Sequence, residues 1–183
     1  MDITALQQGT HSWNVDPSHS SISFSVRHMG IFTVRGSLGT ISGTVTTTDA
    51  VLSKISLSID ATGISTNNEQ RDTHLKSADF LNVEAHPSIT FESTAVAKKS
   101  ESEYTVTGDL TIAGKTHPAT FDVEIVPPVK DPWGMIRAGA TGSSKIKRTD
   151  WGIHYNTVLE TGHVLVGEDV HFTFDVQAVA AGD

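Results

Sequence analysis

Hydrophobic and polar residues alternate with a period of two through most of the chain. Near its beginning, Ile22, Phe24 and Val26 alternate with serine and arginine residues, and near its end Phe172 and Phe174 alternate with polar residues. Successive side chains of a β-strand point to opposite faces, so this pattern predicts strands that each have one buried and one solvated face. Such strands are typical of an antiparallel, all-β domain.

The alternating segments predict eight strands, at residues 20–27, 34–46, 51–60, 88–97, 102–112, 117–126, 134–146 and 168–178. In the second strand the apolar parity changes between Leu38 and Ile41, next to Gly39, which predicts a bulge or bend. In the seventh strand, Gly139 and Gly142 indicate a close approach of the backbone to its neighbours. Eight such strands form either a closed barrel or a sandwich, and the pattern alone favours neither.

One short helical crossover is predicted between the third and fourth strands. Thr66 and Glu69 have the spacing of a capping box, so we expect Thr66 to be the N-cap of a helix over residues 67–76. Arg71, His74 and Leu75 then share one helical face. Two roles stay open for this face. Arg71 pairs with an acid to anchor the helix, with His74 as a core histidine, or both residues contact an anionic or carbonyl head group.

Composition and charge narrow the classes of function. The chain has 13 basic and 21 acidic residues, a formal net charge of -8, so we expect no nucleic-acid partner and no stable insertion into a membrane. It contains no cysteine, which excludes disulfides and thiolate chemistry. Its beginning has no secretion signal, and we expect a soluble cytoplasmic protein, or a periplasmic or secreted one if a signal was removed.

The candidate chemical motifs do not predict catalysis. The nine histidines are scattered without the short spacings of metal ligands, so we expect no metal site, and His171 falls on an outer strand face. Ser144 and Lys147 have the spacing of an acyl-transfer motif, but residues three apart in a strand point to opposite faces. Arg148 and Asp150 either form a pair that locks a loop or supply a second head-group contact. We expect no catalytic residue and no cofactor.

Five short motifs occur in order along the chain. They are HMGIFTVRG at residues 28–36, RDTHLKSADF at 71–80, HPSITF at 86–91, GDLTIAG at 108–114 and RTDWG at 148–152. Each motif alone is weak, but their order and spacing resemble those of the YceI-like, polyisoprenoid-binding proteins. The resemblance covers almost the whole chain.

The resemblance implies a fold and a function. It implies an all-β, eight-stranded antiparallel, lipocalin-like barrel at residues 13–180, after an N-terminal tail at 1–12. An elongated cavity in this barrel would hold a long-chain isoprenoid or another amphiphilic lipid, and the protein would be a carrier, store or scavenger rather than an enzyme. The alternatives are an enzyme that acts on such a lipid with His74 as base, or a filled barrel that serves as an interaction module. A homodimer is expected from the resemblance only.

The resemblance also changes the interpretation of the inner face. From the pattern alone, the inward phenylalanines form a packed core, whereas in barrels of this family such residues line the cavity. The expected ligand-binding residues are Phe24, Val26, His28, Phe32, Arg71, His74, Leu75, Phe80, Phe91, Phe121, Arg148, Trp151, Phe172 and Phe174.

Overall fold

The computed structural model describes residues 3–160, 162 and 164–181. Its strands are β1 (Thr10–Val15), β2 (Ser21–His28), β3 (Phe32–Ser37), β4 (Ile41–Thr48), β5 (Val51–Asp60), β6 (Ser88–Lys98), β7 (Glu103–Ile112), β8 (Lys115–Lys130), β9 (Ile136–Lys147) and β10 (Val166–Ala180). An α-helix, α1 (Glu69–Lys76), follows β5, and short 3-10 helices form at Ile3–Gln7, Pro17–His19 and Arg148–Trp151. The described residues contain no helix that is long and apolar enough to cross a membrane.

The strands form a closed antiparallel barrel with eight strand positions around the ring. The sheet runs in the order β1-β4-β5-β6-β7-β8-β9-β10, and pairing of β1 with the end of β10 closes the ring. The first part of β10 pairs instead with β2, which pairs with β3. β1 and β2 therefore act as one long bent strand of the barrel, and β3 and β4 act as another. The ten strands thus occupy eight positions around the ring, and the predicted eight-stranded barrel is confirmed.

Two glycines allow close approaches within the barrel wall. The predicted second strand is interrupted at residues 38–40, between β3 and β4, and a Cβ atom at Gly39 would lie 2.5 Å from the carbonyl oxygen of Asp60. On β9, a Cβ atom at Gly142 would lie 2.3 Å from the Phe174 ring. Only glycine allows these two approaches, because real Cβ atoms do not come so close to other heavy atoms.

The segment that we expected to be an N-terminal tail is folded onto the barrel from Ile3 onward. Its 3-10 helix buries Leu6, whose side chain is 3% exposed, and β1 begins at Thr10. The expected boundary at residue 13 therefore falls inside a strand. Strand β1 lacks a long alternating run because only Trp13 and Val15 are buried within it.

The helix begins two residues later than the capping box predicted. Asn68 is the N-cap of α1, and its Oδ1 accepts a hydrogen bond of 2.9 Å from the backbone N–H of Arg71. Thr66 is buried and donates its hydroxyl and its backbone N–H to Asp72. A bridge between Ser37 and Ser65 ties this crossover to β3, on the side where β3 has no strand neighbour.

Candidate functional site

Three cavities lie one after another inside the barrel. The deep cavity, about 120 Å³, has apolar walls that include Phe91, Phe121 and Phe174. The middle cavity, about 100 Å³, shares Phe172 with the deep cavity. The mouth cavity, about 410 Å³, shares Phe24 with the middle cavity. These shared walls place the three spaces in one row along the barrel.

The inward phenylalanines line these spaces, as the family resemblance implied and the alternation alone did not. The rings of Phe91 and Phe121 meet edge to face with centroids 5.1 Å apart, and those of Phe121 and Phe174 with centroids 6.1 Å apart. With the surrounding aliphatic residues, these rings make the wall of the deep cavity entirely apolar. The other expected apolar residues that line a cavity are Phe24, Val26, Leu75, Phe80, Trp151 and Phe172.

Phe32 is an expected site residue that lines none of these three cavities. It pairs with His28 across the hairpin formed by β2 and β3, and it is 61% exposed. Directly opposed residues of an antiparallel pair share a face, so Phe32 is on the inner side of its strand. It nevertheless lies at the hairpin turn, beyond the cavity wall, and this position explains its exposure. Phe32 therefore does not belong to the lining of these three cavities.

Basic residues collect at the mouth cavity. Arg27, His28, Arg71 and His74 line it, and no aspartate or glutamate is present among the described lining residues. The chain as a whole carries a formal net charge of -8. The mouth is therefore locally suited to an anionic group although the molecule is acidic.

Arg71 is anchored to a threonine and not to an acid, although a pair with an acid was one of the two roles left open for it. Its Nε donates to the Thr66 hydroxyl at 2.7 Å, and its Nη2 donates to the Thr66 carbonyl at 3.0 Å. No carboxylate of the described residues forms an ion pair with Arg71. Burial raises the pKa of Asp72, but hydrogen bonds from Thr66 outweigh it and bring that pKa below its ordinary value. Asp72 thus remains an anion that positions Thr66, and Thr66 positions Arg71.

His74 is a half-exposed residue of the mouth and not a core histidine. Its Nε2 lies 2.8 Å from Oδ2 of Asp79, and its ring meets Phe80 and Tyr155 edge to face, with centroid distances of 5.0 and 4.6 Å. Asp79 and Tyr155 are absent from the sequence-based site. Asp79 lies in the same motif as His74, which is a signal that could have found it. Tyr155 lies in an irregular loop, where no periodicity points to it.

Arg148 is buried, with 5% exposure, and forms no pair with Asp150. It donates to the carbonyl oxygens of Ile153, Gly167 and Val166 at 2.6, 2.9 and 3.1 Å. Burial lowers the pKa of Arg148, and the charge of Glu168 partly offsets this effect. Its guanidinium is thus committed to the backbone around the middle cavity, which it lines. The expected pair with Asp150 is wrong, and the second head-group contact stays a prediction.

The described histidines do not come together as metal ligands. The described residues contain no group of three His, Cys, Asp or Glu side chains placed to hold a metal ion. His171 is exposed on the outer face of β10, as the strand parity predicted. The chemically distinctive surface of the described barrel is therefore the basic mouth above the apolar cavities.

Comparison with known proteins confirms the resemblance seen in the sequence motifs. Residues 13–178 match the YceI-like domain. The chain is 39% identical over 137 residues to Protein YceI from Escherichia coli O157:H7, which spans 74% of this chain and 71% of that protein. Among solved structures, BcnA from Burkholderia cenocepacia has a TM-score of 0.76 at 22% identity, covering 89% of this chain and 98% of that one.

A second solved structure is a polyisoprenoid-binding domain from Saccharophagus degradans, with a TM-score of 0.66 at 14% identity, covering 93% of this chain and 99% of that one. At such identities the two structures show a common fold. The domain match and the E. coli relative show more than the fold, because they extend over most of the sequence. This chain belongs to the YceI-like domain family.

Proposed function

We propose that the protein binds a long-chain amphiphilic lipid and acts as its carrier, store or scavenger without transforming it. The hydrophobic tail occupies the deep and middle cavities, and the head group stays in the mouth cavity. The observation that carries this proposal is the row of apolar cavities that ends at a mouth lined by basic residues and by no described acid.

Burial of the tail supplies most of the binding free energy. Each buried methylene contributes about 0.8 kcal/mol, so a tail of a dozen carbons gives roughly 9 kcal/mol before the cost of ordering the ligand. The head group then needs only one or two polar contacts. Arg71 is suited to one of them, because its Nη1 has no hydrogen-bond partner among the described residues.

An isoprenoid is the first lipid class to test. The polyisoprenoid-binding domain from Saccharophagus degradans shares the fold, which supports this class of tail. The cavity chemistry supports an anionic head group, because the mouth presents two arginines. A polyprenyl phosphate combines both features.

Mass spectrometry of an organic extract from the purified protein tests the proposal. We expect a lipid at near one molecule per chain, and displacement of that lipid by an added polyprenyl phosphate. The matched control is Phe91→Glu, which places a desolvated carboxylate in the wall of the deep cavity and should empty the protein of lipid. A parent protein that carries no lipid and binds no polyprenyl phosphate would overturn the proposal.

One observation favours a second candidate, an enzyme that acts on such a lipid with His74 as base. His74 lies at the mouth, and its Nε2 is hydrogen-bonded to the carboxylate of Asp79, which gives His74 the partner that a general base needs. Incubation of the protein with a bound polyprenyl phosphate, followed by chromatography of the lipid, tests this candidate. Conversion that is lost in His74→Gln while binding persists would support it. Recovery of unchanged lipid from the parent protein would exclude it for that substrate.

A further inference from the structure

We infer that the N-terminal segment Ile3–Gln7 is the floor of the lipid cavity and sets the longest tail that the barrel accepts. This inference rests on the proposed function and deepens it, because it concerns selection among lipids by length. Leu6 is the residue that enters the barrel from this segment. It packs with Trp13, Ile136 and Ala178, a cluster that we call the plug.

The plug lies directly below the deep cavity. On β9, Ala140 lines the deep cavity, and the next inward positions are Ala138 and Ile136, which contact or belong to the plug. On β10, Val176 lines the deep cavity and Ala178, the next inward position, belongs to the plug. Two residues of a strand span roughly 7 Å, so both strands pass from cavity to plug within one inward step.

Val45 connects the two regions directly. Its side chain lines the deep cavity and also packs against the plug. The inward residues around Leu6 are small at Ala138 and Ala178, which leaves room for a leucine that comes from outside the ring of strands. The floor therefore combines inward residues of the wall strands with Leu6, which an added segment supplies.

The chain is fastened to the barrel directly after the N-terminal segment. Gly9, which links it to β1, donates its N–H to Oδ1 of Asp49 at 2.8 Å, and its carbonyl accepts from the Asp49 N–H at 2.9 Å. Gly9 has a φ of +82°, a conformation that favours glycine. Trp13 donates its indole N–H to the Thr47 hydroxyl at 3.0 Å. These bonds fasten Gly9 and β1, which follow the segment directly, to β4 and to the turn after β4. Leu6 lies only three residues before Gly9, so the floor acts as a stop.

A stop of this kind selects lipids by length. A tail that fills the deep and middle cavities ends against the plug, and each further methylene must stay outside the apolar walls. Affinity should therefore rise with tail length up to a limit and then stop rising. Because Leu6 closes the floor, a smaller side chain at this position should move the limit toward longer tails.

The test compares polyprenyl phosphates of three, four and eight isoprene units on Leu6→Ala, on the milder Leu6→Val and on the parent. The matched control is Gln7→Ala, because Gln7 is exposed on the same 3-10 helix. In Leu6→Ala, we expect the affinity for the longest tail that the parent still binds to increase roughly tenfold relative to the affinity for the shortest tail. This is the effect of about two more buried methylene groups. Leu6→Val should show a smaller change in the same direction, and Gln7→Ala none.

Two results would overturn the inference. One is an unchanged dependence of affinity on tail length in both Leu6 variants. The other is loss of the strand signal in circular dichroism for Leu6→Val, because the segment would then be required for the barrel itself and not only for its floor. Failure of the parent to bind any of the three lipids would instead refute the proposed function, so the two failures are distinguishable.

Discussion

The two arginines that the motifs single out, Arg71 and Arg148, are held in different ways. Arg148 donates to three backbone carbonyls around the middle cavity and is buried. Arg71 is anchored through Nε and Nη2 to a single residue, Thr66, and lines the mouth. Its remaining N–H groups are thus available to an anion, and a charge-assisted hydrogen bond is about twice as strong as a neutral one.

Substitution of Arg71 separates recognition of the head group from burial of the tail. Arg71→Gln should weaken binding of a polyprenyl phosphate roughly tenfold or more, because a hydrogen bond to a charged group contributes about 1.5–3 kcal/mol. Binding of the uncharged polyprenol with the same tail should change little. Titration of both lipids measures the effect, and the matched control is Arg35→Gln, since Arg35 is exposed on β3. Equal losses for both lipids with a lower Tm would leave Arg71 as an anchor of the crossover only.

A different charged residue, Asp16, ties the far end of the barrel together. Its carboxylate lies 2.9 Å from His19 Nδ1 and 2.7 Å from Arg137 Nη1. The hydrogen bond from His19 lowers the pKa of Asp16, and the hydrogen bond from Arg137 adds to this effect. Burial acts in the opposite direction, and the net result is a pKa lowered from 3.8 to about 2. A carboxyl whose pKa is depressed on folding stabilises the folded state above its ordinary pKa. This contribution is lost as the pH falls from about 4 to about 2.

Asp16→Asn should therefore destabilise the barrel at neutral pH and flatten its acid unfolding. We expect a loss of about 1.5–3 kcal/mol in the free energy of unfolding at pH 7, the value of hydrogen bonds to a charged group. Below pH 2 the variant and the parent should have similar stability. Urea unfolding at a series of pH values measures both effects, with Asp109→Asn, exposed on β7, as the control. A constant difference between parent and variant down to pH 2 would contradict this assignment.

At the scale of the elements, long alternating runs were sufficient to predict most strands of the wall, whereas their closure into a barrel followed from the family resemblance. Strands β5 to β10 lie where alternation is sustained, because each passes the same cavity with one face inward. Strand β1 was missed because it is short and precedes the turn at Pro17. The helix start was missed because Thr66 and Asn68 are both good caps, and only tertiary contact with Asp72 diverts Thr66 from that role.

The candidate site was predictable where it follows strand parity and much less where it depends on loops. Phe91 and Phe174 are inward because their strands alternate, and both line the deep cavity. Phe32 follows the same parity but lies past the end of the wall. The side chain of Tyr155 reaches His74 from an irregular loop, where neither period nor propensity fixes the direction of a side chain.

Two adjacent residues of β8 test the parity of a whole strand. Phe121 lines the deep cavity, whereas Thr120 is exposed on the outer face. Phe121→Glu should lower the free energy of unfolding by about 3–5 kcal/mol and abolish binding of a hydrophobic fluorescent probe, because the wall loses a ring and gains a desolvated charge. Thr120→Glu should change stability by about 0.5 kcal/mol or less and leave probe binding intact. Similar effects of the two variants would show that the face assignment is wrong.

At the scale of the molecule, charge and hydrophobicity are separated between outside and inside. The formal net charge of -8 contrasts with the basic mouth, and the deep cavity exposes only apolar side chains. The apolar side chains around an empty cavity lack the dispersion contacts that they would have in a filled core. A ligand that restores these contacts binds the folded state and not the unfolded chain, so it stabilises the whole fold.

The size of this stabilisation follows from mass action. At a free ligand concentration of one hundred times Kd, a ligand that binds only the folded state adds about 2.7 kcal/mol to the free energy of unfolding. For a chain of this size each kcal/mol raises Tm by about 2–4 °C, so a polyprenyl phosphate should raise Tm by roughly 5–10 °C. Thermal melts of delipidated protein measure the shift. Inorganic phosphate at the same concentration is the control and should leave Tm unchanged, because it reaches the mouth but fills none of the apolar cavities. An equal shift with both additives would place the stabilising contact at the mouth and contradict burial of the tail in the barrel.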